Sequence, residues 1–410
     1  MPPMLPEFPS TEPDALDTVR STLARLRSVP ALADRYCDVV SLDSLEDLIH
    51  VPVTGRDELS VALAHLKPKA RSGATWSFQR DCGTGLPELG YAPTGLYMNE
   101  VYERWKPLGP ADVFVNGWAA GRLWDAHYLM GVYADLAGCT VLGLGAVEQG
   151  EIGYWLEFCA DRDVTSFGGA PGALRPIFAR ARELGLKLPT LRSIIWLGEE
   201  WDPTIDDDLA YVAPDAQRWG LFGGAETLVI GTNTPECAAD IWHPLPSQLV
   251  HVGRDQMLDV TSLKPHGLNP VLRFRTGDAG QWVSCPCGQA GPALRVLGRR
   301  MGEVKFRGLL LDVDGLVADV AGQPGVSRVQ MVITEHAARG ATAEVLVVPS
   351  RDAAGDLAAR VRAHILVSAI GRACTAFRND PDALAVRLVD SVISNERTGR
   401  AADLVMRRHS

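Results

Sequence analysis

The feature that most constrains the fold is an alternation of apolar strands and helical segments between residues 112 and 201. Within residues 112–145 an apolar strand, a helix and a second apolar strand over 139–144 follow one another, which is typical of a βαβ unit. The same texture recurs over residues 163–201 and includes a short buried-type strand over 194–197. This alternation predicts a large α/β domain with a mainly parallel sheet.

From about residue 299 the pattern changes to that of a smaller α+β domain. Strands are predicted over residues 326–334, 343–348 and 385–393, with a helix over 357–370. The sequence therefore predicts a large N-terminal domain over residues 1–298, with mixed and parallel sheets, and a small C-terminal domain over 299–410. A chain of 410 residues with 46% hydrophobic content can bury one large core and a second, smaller one.

Composition excludes several classes of protein. Forty basic against fifty acidic residues give a net charge of -10, so no global basic field attracts nucleic acid or an anionic membrane. No apolar run reaches the length of a membrane span, and the first residues do not resemble a signal peptide, so we expect a cytoplasmic protein. The eight cysteines are scattered and do not resemble a secreted disulfide framework.

The most specific stretch lies over residues 273–316. It contains four short blocks, which are Arg275-Thr276-Gly277-Asp278, Cys285-Pro286-Cys287-Gly288, Gly298-Arg299 and Lys305-Phe306-Arg307-Gly308. In order and spacing these blocks resemble the phenylacetate–CoA ligase branch of the adenylate-forming enzymes. The resemblance implies an N-terminal domain that binds ATP and an acid, and a mobile C-terminal domain.

The resemblance assigns Asp278 to the ribose of the nucleotide. An ionised carboxylate after a glycine turn offers only acceptors, which suits two sugar hydroxyls. The resemblance adds a second sugar contact from Arg299 and places Lys305 among the catalytic residues. Taken alone, residues 276–278 also fit a simple surface turn.

Residues 222–227 carry a second motif. They read Phe222-Gly223-Gly224-Ala225-Glu226-Thr227 and resemble the family's aromatic-Gly-x-x-Glu motif. The resemblance implies that the Phe222 ring stacks near the adenine and that Glu226 helps to hold Mg²⁺. Glycines let the backbone approach a nucleotide, and a carboxylate suits a hard cation. The alternative is a glycine-rich turn before a buried strand.

Two further stretches resemble segments around the purine and the acid. The three residues that follow the predicted strand over 194–197 are matched to the purine contact, and open α/β sheets bind ligands at such strand ends. They are Gly198, Glu199 and Glu200. Five residues are matched to the acid pocket, and they are His127, Tyr128, Phe167, Gly168 and Gly169. For His127 and Tyr128 the alternative is an ordinary His-Tyr pair in a helical core.

Four soft ligands predict a structural zinc site. Cys237, His243, Cys285 and Cys287 supply three thiolates and an imidazole, which complete a tetrahedral zinc set with no position left open for substrate. Many members of the resembled branch carry a similar arrangement. The alternative is four unrelated residues, two of them buried thiols.

The sequence departs from the family at two phosphate contacts. The glycine-rich loop keeps Gly83, Thr84 and Gly85 but lacks the lysine that normally ends it. The family's catalytic lysine near the C-terminus is matched by Arg400, which keeps a positive charge and grips phosphate bidentately.

The resemblance thus implies that ATP and Mg²⁺ activate a small-molecule carboxylic acid, preferably aromatic, as its acyl-adenylate. Transfer then follows to a thiol, either coenzyme A or the phosphopantetheine of an acyl or peptidyl carrier protein. A homodimer is left open. Three alternatives remain: capture of the adenylate by an amine or hydroxyl, activation of a group other than a carboxylate, and a degenerate nucleotide-binding scaffold without turnover.

Overall fold

The computed structural model describes residues 12–39, 41–66, 75–80, 87–92, 94–120, 125–264, 269–299, 303–307, 309–336, 340–350, 353, 355–368, 371, 374–390, 392–393 and 404–409. These residues group into two compact units. The first contains the described residues up to Gln79 and from Leu89 to Gly298. The second contains those from Arg299 onward, together with Arg80, Pro87 and Glu88.

The helices of the first unit are α1 (Glu12–Arg27), α2 (Ala33–Tyr36), α3 (Arg56–Leu66), α4 (Thr94–Arg104), α5 (Asp125–Ala137), α6 (Ile152–Ala160), α7 (Pro171–Glu183) and α8 (Thr204–Val212). Strands β1 (Thr75–Arg80) and β2 (Pro87–Ala92) form a separate two-stranded sheet. Within the described part of the chain, no helix has both the length and the apolar composition needed to cross a membrane.

A single large sheet organises the first unit. Its strands are β3 (Val113–Asn116), β4 (Thr140–Leu142), β5 (Ser166–Gly169), β6 (Ser193–Leu197), β7 (Gln217–Gly224), β8 (Leu228–Asn233), β9 (Ile241–Pro244), β10 (Gln248–Val252), β11 (Met257–Ser262), β12 (Phe274–Val283) and β13 (Ala293–Arg299). Their order across the sheet is β10-β11-β12-β13-β9-β8-β7-β6-β5-β3-β4. Strands β3 to β7 are parallel, and β7, β8 and β9 continue the sheet with antiparallel pairs.

Alternating side chains of the parallel half fill a core on each face of the sheet. Phe114 of β3 packs with α4 and α5, whereas its neighbour Val115 packs with α6 and α7. Because both faces are covered, the central strands are almost continuously apolar, as parallel strands usually are. Helices α1 and α2 cover a third cluster with Leu249, Leu263 and Leu272 at the antiparallel end.

The second unit has its own core and a separate sheet. Its elements are β14 (Glu303–Phe306), β15 (Leu309–Asp312), α9 (Val313–Ala321), β16 (Val326–His336), β17 (Gly340–Pro349), α10 (Leu357–Val367), α11 (Thr375–Asn379), β18 (Leu384–Leu388) and β19 (Leu404–His409). The four-stranded sheet has the order β18-β17-β16-β19, with an antiparallel pair in the middle and parallel strands outside. Helices α9 and α10 pack on it around a core that includes Leu316, Val345 and Val361.

The predicted fold class is confirmed: a large α/β unit with a mixed sheet accompanies a small α+β unit. The structure extends the prediction in two places. The parallel sheet continues into an antiparallel half, and β19 adds an edge strand parallel to β16, where no strand was predicted.

Candidate functional site

Four adjacent parallel strands end at one edge of the large sheet. Strands β3, β5, β6 and β7 end at Asn116, Gly169, Leu197 and Gly224. The chain leaves β3 for β4 on one side and returns in β5 on the other side of β3. The carboxyl ends of β3 and β5 therefore form a topological switch point, which is where open α/β sheets bind ligands.

The predicted adenine motif forms the tight hairpin between β7 and β8. Phe222 pairs with Gly231, and a bulge follows at Gly223, where a Cβ would collide with the carbonyl group of Leu228. Leu228 itself has a φ of 58°, a conformation that a leucine rarely adopts. The glycine requirement therefore comes from the hairpin itself, and the turn leaves Glu226 and Thr227 buried at its tip.

Glu226 lies in a charged environment that joins distant parts of the chain. Its Oε1 is 3.1 Å from Nε of Arg56, at the beginning of α3. Asn269 donates a hydrogen bond to the Glu226 carbonyl oxygen at 2.8 Å. Only 8% of the Glu226 side chain and 14% of the Arg56 side chain are exposed, so this ion pair is largely buried.

A second carboxyl group belongs to the same surroundings. Burial, with a smaller contribution from the negative charge of Glu226, raises the pKa of Asp125 at the beginning of α5 from 3.8 to about 6, although backbone N–H groups oppose the shift. Magnesium is usually held by one or two protein carboxylates together with substrate phosphates and water. Glu226 can supply such a carboxylate, and Asp125 is a nearby acidic group.

The predicted purine segment follows β6. Gly198 has a φ of 96°, which favours glycine. The Glu199 carboxylate accepts a hydrogen bond from the backbone N–H of Gly172 at 2.7 Å, in the first turn of α7. A negative group at a helix N-terminus is favourable, so Glu199 has a structural role here beside the predicted purine contact. Glu200 lies next to Gly298, where a Cβ would be 3.2 Å from its Oε1.

The predicted ribose residue lies in a bulge of β12. Asp259 of β11 pairs with Arg275 while Met257 pairs with Ala279, so residues 276–278 form extra length in β12. Gly277 has a φ of 86° in this bulge, and the backbone N–H of Asp278 donates to the Thr276 hydroxyl at 3.1 Å. The bulge sets Asp278 apart from the regular ladder of the sheet.

A buried aspartate anchors the strand that leads into this bulge. The Asp259 side chain has no exposed surface and lies 2.9 Å from Nε of Arg275 and 3.1 Å from a terminal nitrogen of Arg273. The interaction with Asp259 raises the pKa of Arg275, although burial opposes this rise. Asp259 thus fixes the two arginines beside the residues predicted to hold the ribose.

The residues predicted for the acid pocket separate into two groups. Gly168 lies under the Trp118 ring, because a Cβ there would overlap that ring and lie 2.8 Å from the Phe114 ring. His127 contacts the Trp118 carbonyl oxygen through Nδ1 at 2.8 Å; since a carbonyl only accepts, Nδ1 carries the proton. Phe167 instead points to the opposite face of β5 and packs among α6 and α7.

The remaining acid-pocket predictions lie at the surface or at the strand end. Tyr128 is 49% exposed on α5, and Gly169 closes β5 against Leu174. Among the described residues, the Trp118 indole N–H and the Asn116 side-chain oxygen are buried without a hydrogen-bond partner. A polar group of a bound ligand can pair with each of these atoms.

The four predicted metal ligands lie together. Cys237, His243, Cys285 and Cys287 each place one ligand atom within 4.8 Å of the others. The Cys237 and Cys285 sulfurs are 3.6 Å apart, and the Cys287 sulfur is 3.1 Å from Nε2 of His243. Burial lowers the pKa of His243, which keeps the imidazole neutral and able to coordinate.

These separations match a metal rather than a disulfide. Zinc with sulfur ligands at about 2.3 Å in a tetrahedron places the sulfurs about 3.8 Å apart, whereas bonded sulfurs lie at about 2 Å. The donor set contains only thiols and an imidazole, which are ligands that zinc prefers to magnesium or calcium. The arrangement therefore fits a closed four-ligand zinc site.

Several predicted residues are placed only in part. Gly83, Thr84, Gly85 and Arg400 lie outside the described residues. Arg299 is the last residue of β13, and Lys305 lies in β14 opposite Leu310 of β15.

Sequence reasoning missed the partners of the predicted residues. Arg56 and Asn269 carry no motif and are far from Glu226 along the chain. Asp259 gives only the weak signal of an acidic residue inside an apolar strand. Asp125 lies two residues before His127, but its burial near Glu226 depends on tertiary structure.

The chain has the fold of the adenylate-forming acyl-CoA ligases. A crystal structure of 2-hydroxyisobutyryl-CoA ligase, in complex with 2-HIB-AMP and CoA, matches with a TM-score of 0.75 at 17% identity, over 97% of this chain and 90% of that one. A malonyl-CoA ligase ternary product complex with methylmalonyl-CoA and AMP matches with a TM-score of 0.55 at 18% identity, over 78% and 71% of the two chains.

A third similar structure is the amide bond synthetase McbA from Marinactinospora thermotolerans. It matches with a TM-score of 0.57 at 15% identity, over 92% of this chain and 80% of that one. No protein-family model and no curated protein matches the sequence.

Proposed function

We propose that this protein uses ATP to activate a carboxylic acid as its acyl-adenylate and then transfers the acyl group to a thiol. The observation that carries the proposal is that the predicted acid and nucleotide motifs lie at the same edge of the large sheet, where its parallel strands end. The residues proposed for the acid, the purine and the adenine lie at or next to the carboxyl ends of β5, β6 and β7, and they are Gly168, Gly198 and Phe222. The fold shared with acyl-CoA ligases supports the same chemistry.

In the first half-reaction a carboxylate oxygen of the acid attacks the α-phosphorus of ATP, and the bond to pyrophosphate breaks. Glu226 would hold Mg²⁺, which neutralises phosphate charge when bound. Arg56 holds the Glu226 carboxylate in place through their ion pair. Asp278 would accept hydrogen bonds from the ribose hydroxyls. Arg299, Lys305 and Arg400 remain proposed cationic contacts of the nucleotide and the reacting groups.

In the second half-reaction a thiolate attacks the acyl carbon, and AMP leaves with the electron pair of the acyl–phosphate bond. Coenzyme A and carrier-protein phosphopantetheine are the proposed thiols. We also propose that the C-terminal domain moves between the two steps and that the chain belongs to the phenylacetate–CoA ligase branch, on the strength of the motifs over residues 273–316.

The acid is proposed to be aromatic, because Trp118 lines the strand edge beside Gly168. The buried Trp118 N–H and Asn116 oxygen favour an acid that also carries a polar substituent. A panel of acids should therefore include plain aryl acids, hydroxylated aryl acids and small aliphatic acids such as 2-hydroxyisobutyrate and malonate.

ATP–pyrophosphate exchange tests the first half-reaction with this panel. We expect exchange with at least one acid, and a loss of roughly a hundredfold or more in Glu226→Gln, since an electrostatic contact at the transition state is removed. Glu183→Gln is the matched control, because Glu183 is an exposed glutamate on α7. No exchange with any acid, in a folded protein that contains zinc, would favour the scaffold without turnover.

A second acceptor is favoured by the likeness to an amide bond synthetase. If the adenylate is captured by an amine, product analysis with coenzyme A, a phosphopantetheinylated carrier protein and a small amine will show amide and no thioester. Thioester formation with either thiol supports the main proposal.

We also propose that Cys237, His243, Cys285 and Cys287 hold a structural zinc ion. The closeness of their ligand atoms supports this assignment. The site has no open position, so zinc would stabilise the fold and take no part in the chemistry.

A further inference from the structure

Four aromatic side chains form a continuous cluster behind the proposed adenine site. Trp196 is 5.2 Å from Trp201 and 5.8 Å from Trp242, measured between ring centroids, and Trp242 is 5.6 Å from Phe222. We call these four residues the aromatic cluster. Its three tryptophans are buried, whereas Phe222 is only partly buried. The ring that the proposed nucleotide would contact therefore rests on Trp242.

Trp242 and the metal ligand His243 are neighbours in the short strand β9. Successive side chains of a strand point to opposite faces, so Trp242 meets the aromatic cluster while His243 joins the three cysteines. The position of the imidazole and the position of the indole are thus set by the same four-residue strand.

The strand β9 lies between β8 and β13 in the large sheet. It pairs with β8 at His243 and Pro244, and with β13 at Ile241 and Trp242. The preceding loop, which carries Cys237, is held by two hydrogen bonds from the Asn233 amide, to the carbonyl oxygens of Ala238 and Ile241.

The metal set adds cross-links on both sides of β9. Cys237 belongs to the loop before the strand, and Cys285 and Cys287 belong to the connection between β12 and β13. A bound ion would therefore tie β9 to that connection and to its own preceding loop. Without an ion, no covalent bond joins these thiols, since all of them are free.

We infer that the metal set governs nucleotide affinity from a distance, with Trp242 as the positioning residue that transmits its effect to the Phe222 ring. The inference rests on the proposed function, because it takes Phe222 as the adenine contact. Loss of the ion removes the cross-links beside β9, so Trp242 holds the Phe222 ring less rigidly.

The test measures AMP affinity by titration calorimetry and zinc content by metal analysis, on the full chain. Cys285→Ser removes one ligand, and Cys139→Ser is the control, because Cys139 is a thiol of similar burial that lies outside the metal set. We expect Cys285→Ser to lose zinc and to weaken AMP binding about tenfold, which corresponds to about 1.4 kcal/mol. Cys139→Ser should keep both properties.

Variants of Trp242 separate the positioning role from the metal itself. Trp242→Leu should retain zinc and still weaken AMP binding by a similar factor, whereas Trp242→Phe, which keeps a ring against Phe222, should recover most of the affinity. If Cys285→Ser does not fold, zinc is removed from the unaltered protein with a chelator, and AMP binding should again weaken about tenfold. AMP affinity that is unchanged after loss of zinc overturns the inference. Unchanged AMP affinity in Trp242→Leu overturns the inference, whereas absence of AMP binding by the unaltered protein overturns the proposed function instead.

Discussion

The raised pKa of Asp125 makes a quantitative prediction about stability. Burial, with a smaller contribution from Glu226, raises this pKa from 3.8 to about 6 in the folded protein. One pKa unit corresponds to about 1.4 kcal/mol, so ionised Asp125 costs the fold about 3 kcal/mol. Because the folded pKa is the higher one, this cost is absent below about pH 4 and is complete above about pH 6.

The variant Asp125→Asn removes this titration. We expect the free energy of unfolding of the variant, relative to the unaltered protein, to rise by about 3 kcal/mol between about pH 4 and about pH 7.5. Urea unfolding followed by tryptophan fluorescence is suitable, because all ten tryptophans precede residue 299 and the signal reports the first unit.

The matched control is Asp135→Asn, which changes an exposed aspartate on the same helix. Its stability relative to the unaltered protein should stay nearly constant over this pH range. If Asp125→Asn shows the same flat profile as Asp135→Asn, the carboxyl group is not buried as described and the reasoning fails.

Three further predictions concern other parts of the first unit. The purified protein should contain about one equivalent of zinc, and chelation should lower its melting temperature; less than about half an equivalent would refute the site. Asp259→Asn should destabilise the first unit by about 3 kcal/mol in urea unfolding, since two partly buried arginines lose their ion pairs with a fully buried carboxylate; a change below about 1 kcal/mol would contradict this. Gly168→Ala should cost about 1–3 kcal/mol by the same measurement, because the added methyl group overlaps the Trp118 ring; unchanged stability would show that the ring moves aside freely.

The parallel half of the large sheet was predictable because its signal is local. The βαβ pattern over residues 112–145 corresponds to β3, α5 and β4, and the short strand over 194–197 corresponds to β6. The antiparallel half was not predicted as a continuation of this sheet, since the pairing of β13 with β9 joins segments that are far apart in the chain. In the second unit, α9 and β19 were not predicted, although Val313, Leu316 and Val320 of α9 lie at helical spacing and are buried.

The residues of the candidate site were also predictable only in part. Glu226 was predicted through the family resemblance and the four metal ligands from residue type, and the structure brings the metal ligands together. It did not identify Arg56, which approaches Glu226 from 170 residues away. An ion pair of this kind leaves no pattern in either segment, because its geometry arises only when α3 packs near the β7–β8 hairpin. The functional roles of the site residues stay predictions.

The reversal of strand order at β3 affects which loops of the proposed enzyme can vary in sequence. In the proposed ligase, the acid meets loops that follow β3 and β5, whereas the nucleotide meets loops that follow β6 and β7. Insertions or substitutions after β3, around Trp118, can therefore accumulate without altering the hairpin that carries Phe222 and Glu226. We expect natural relatives of this chain to differ mostly in the loops that follow β3 and β5. Such differences change the acid that is bound while the use of ATP stays the same.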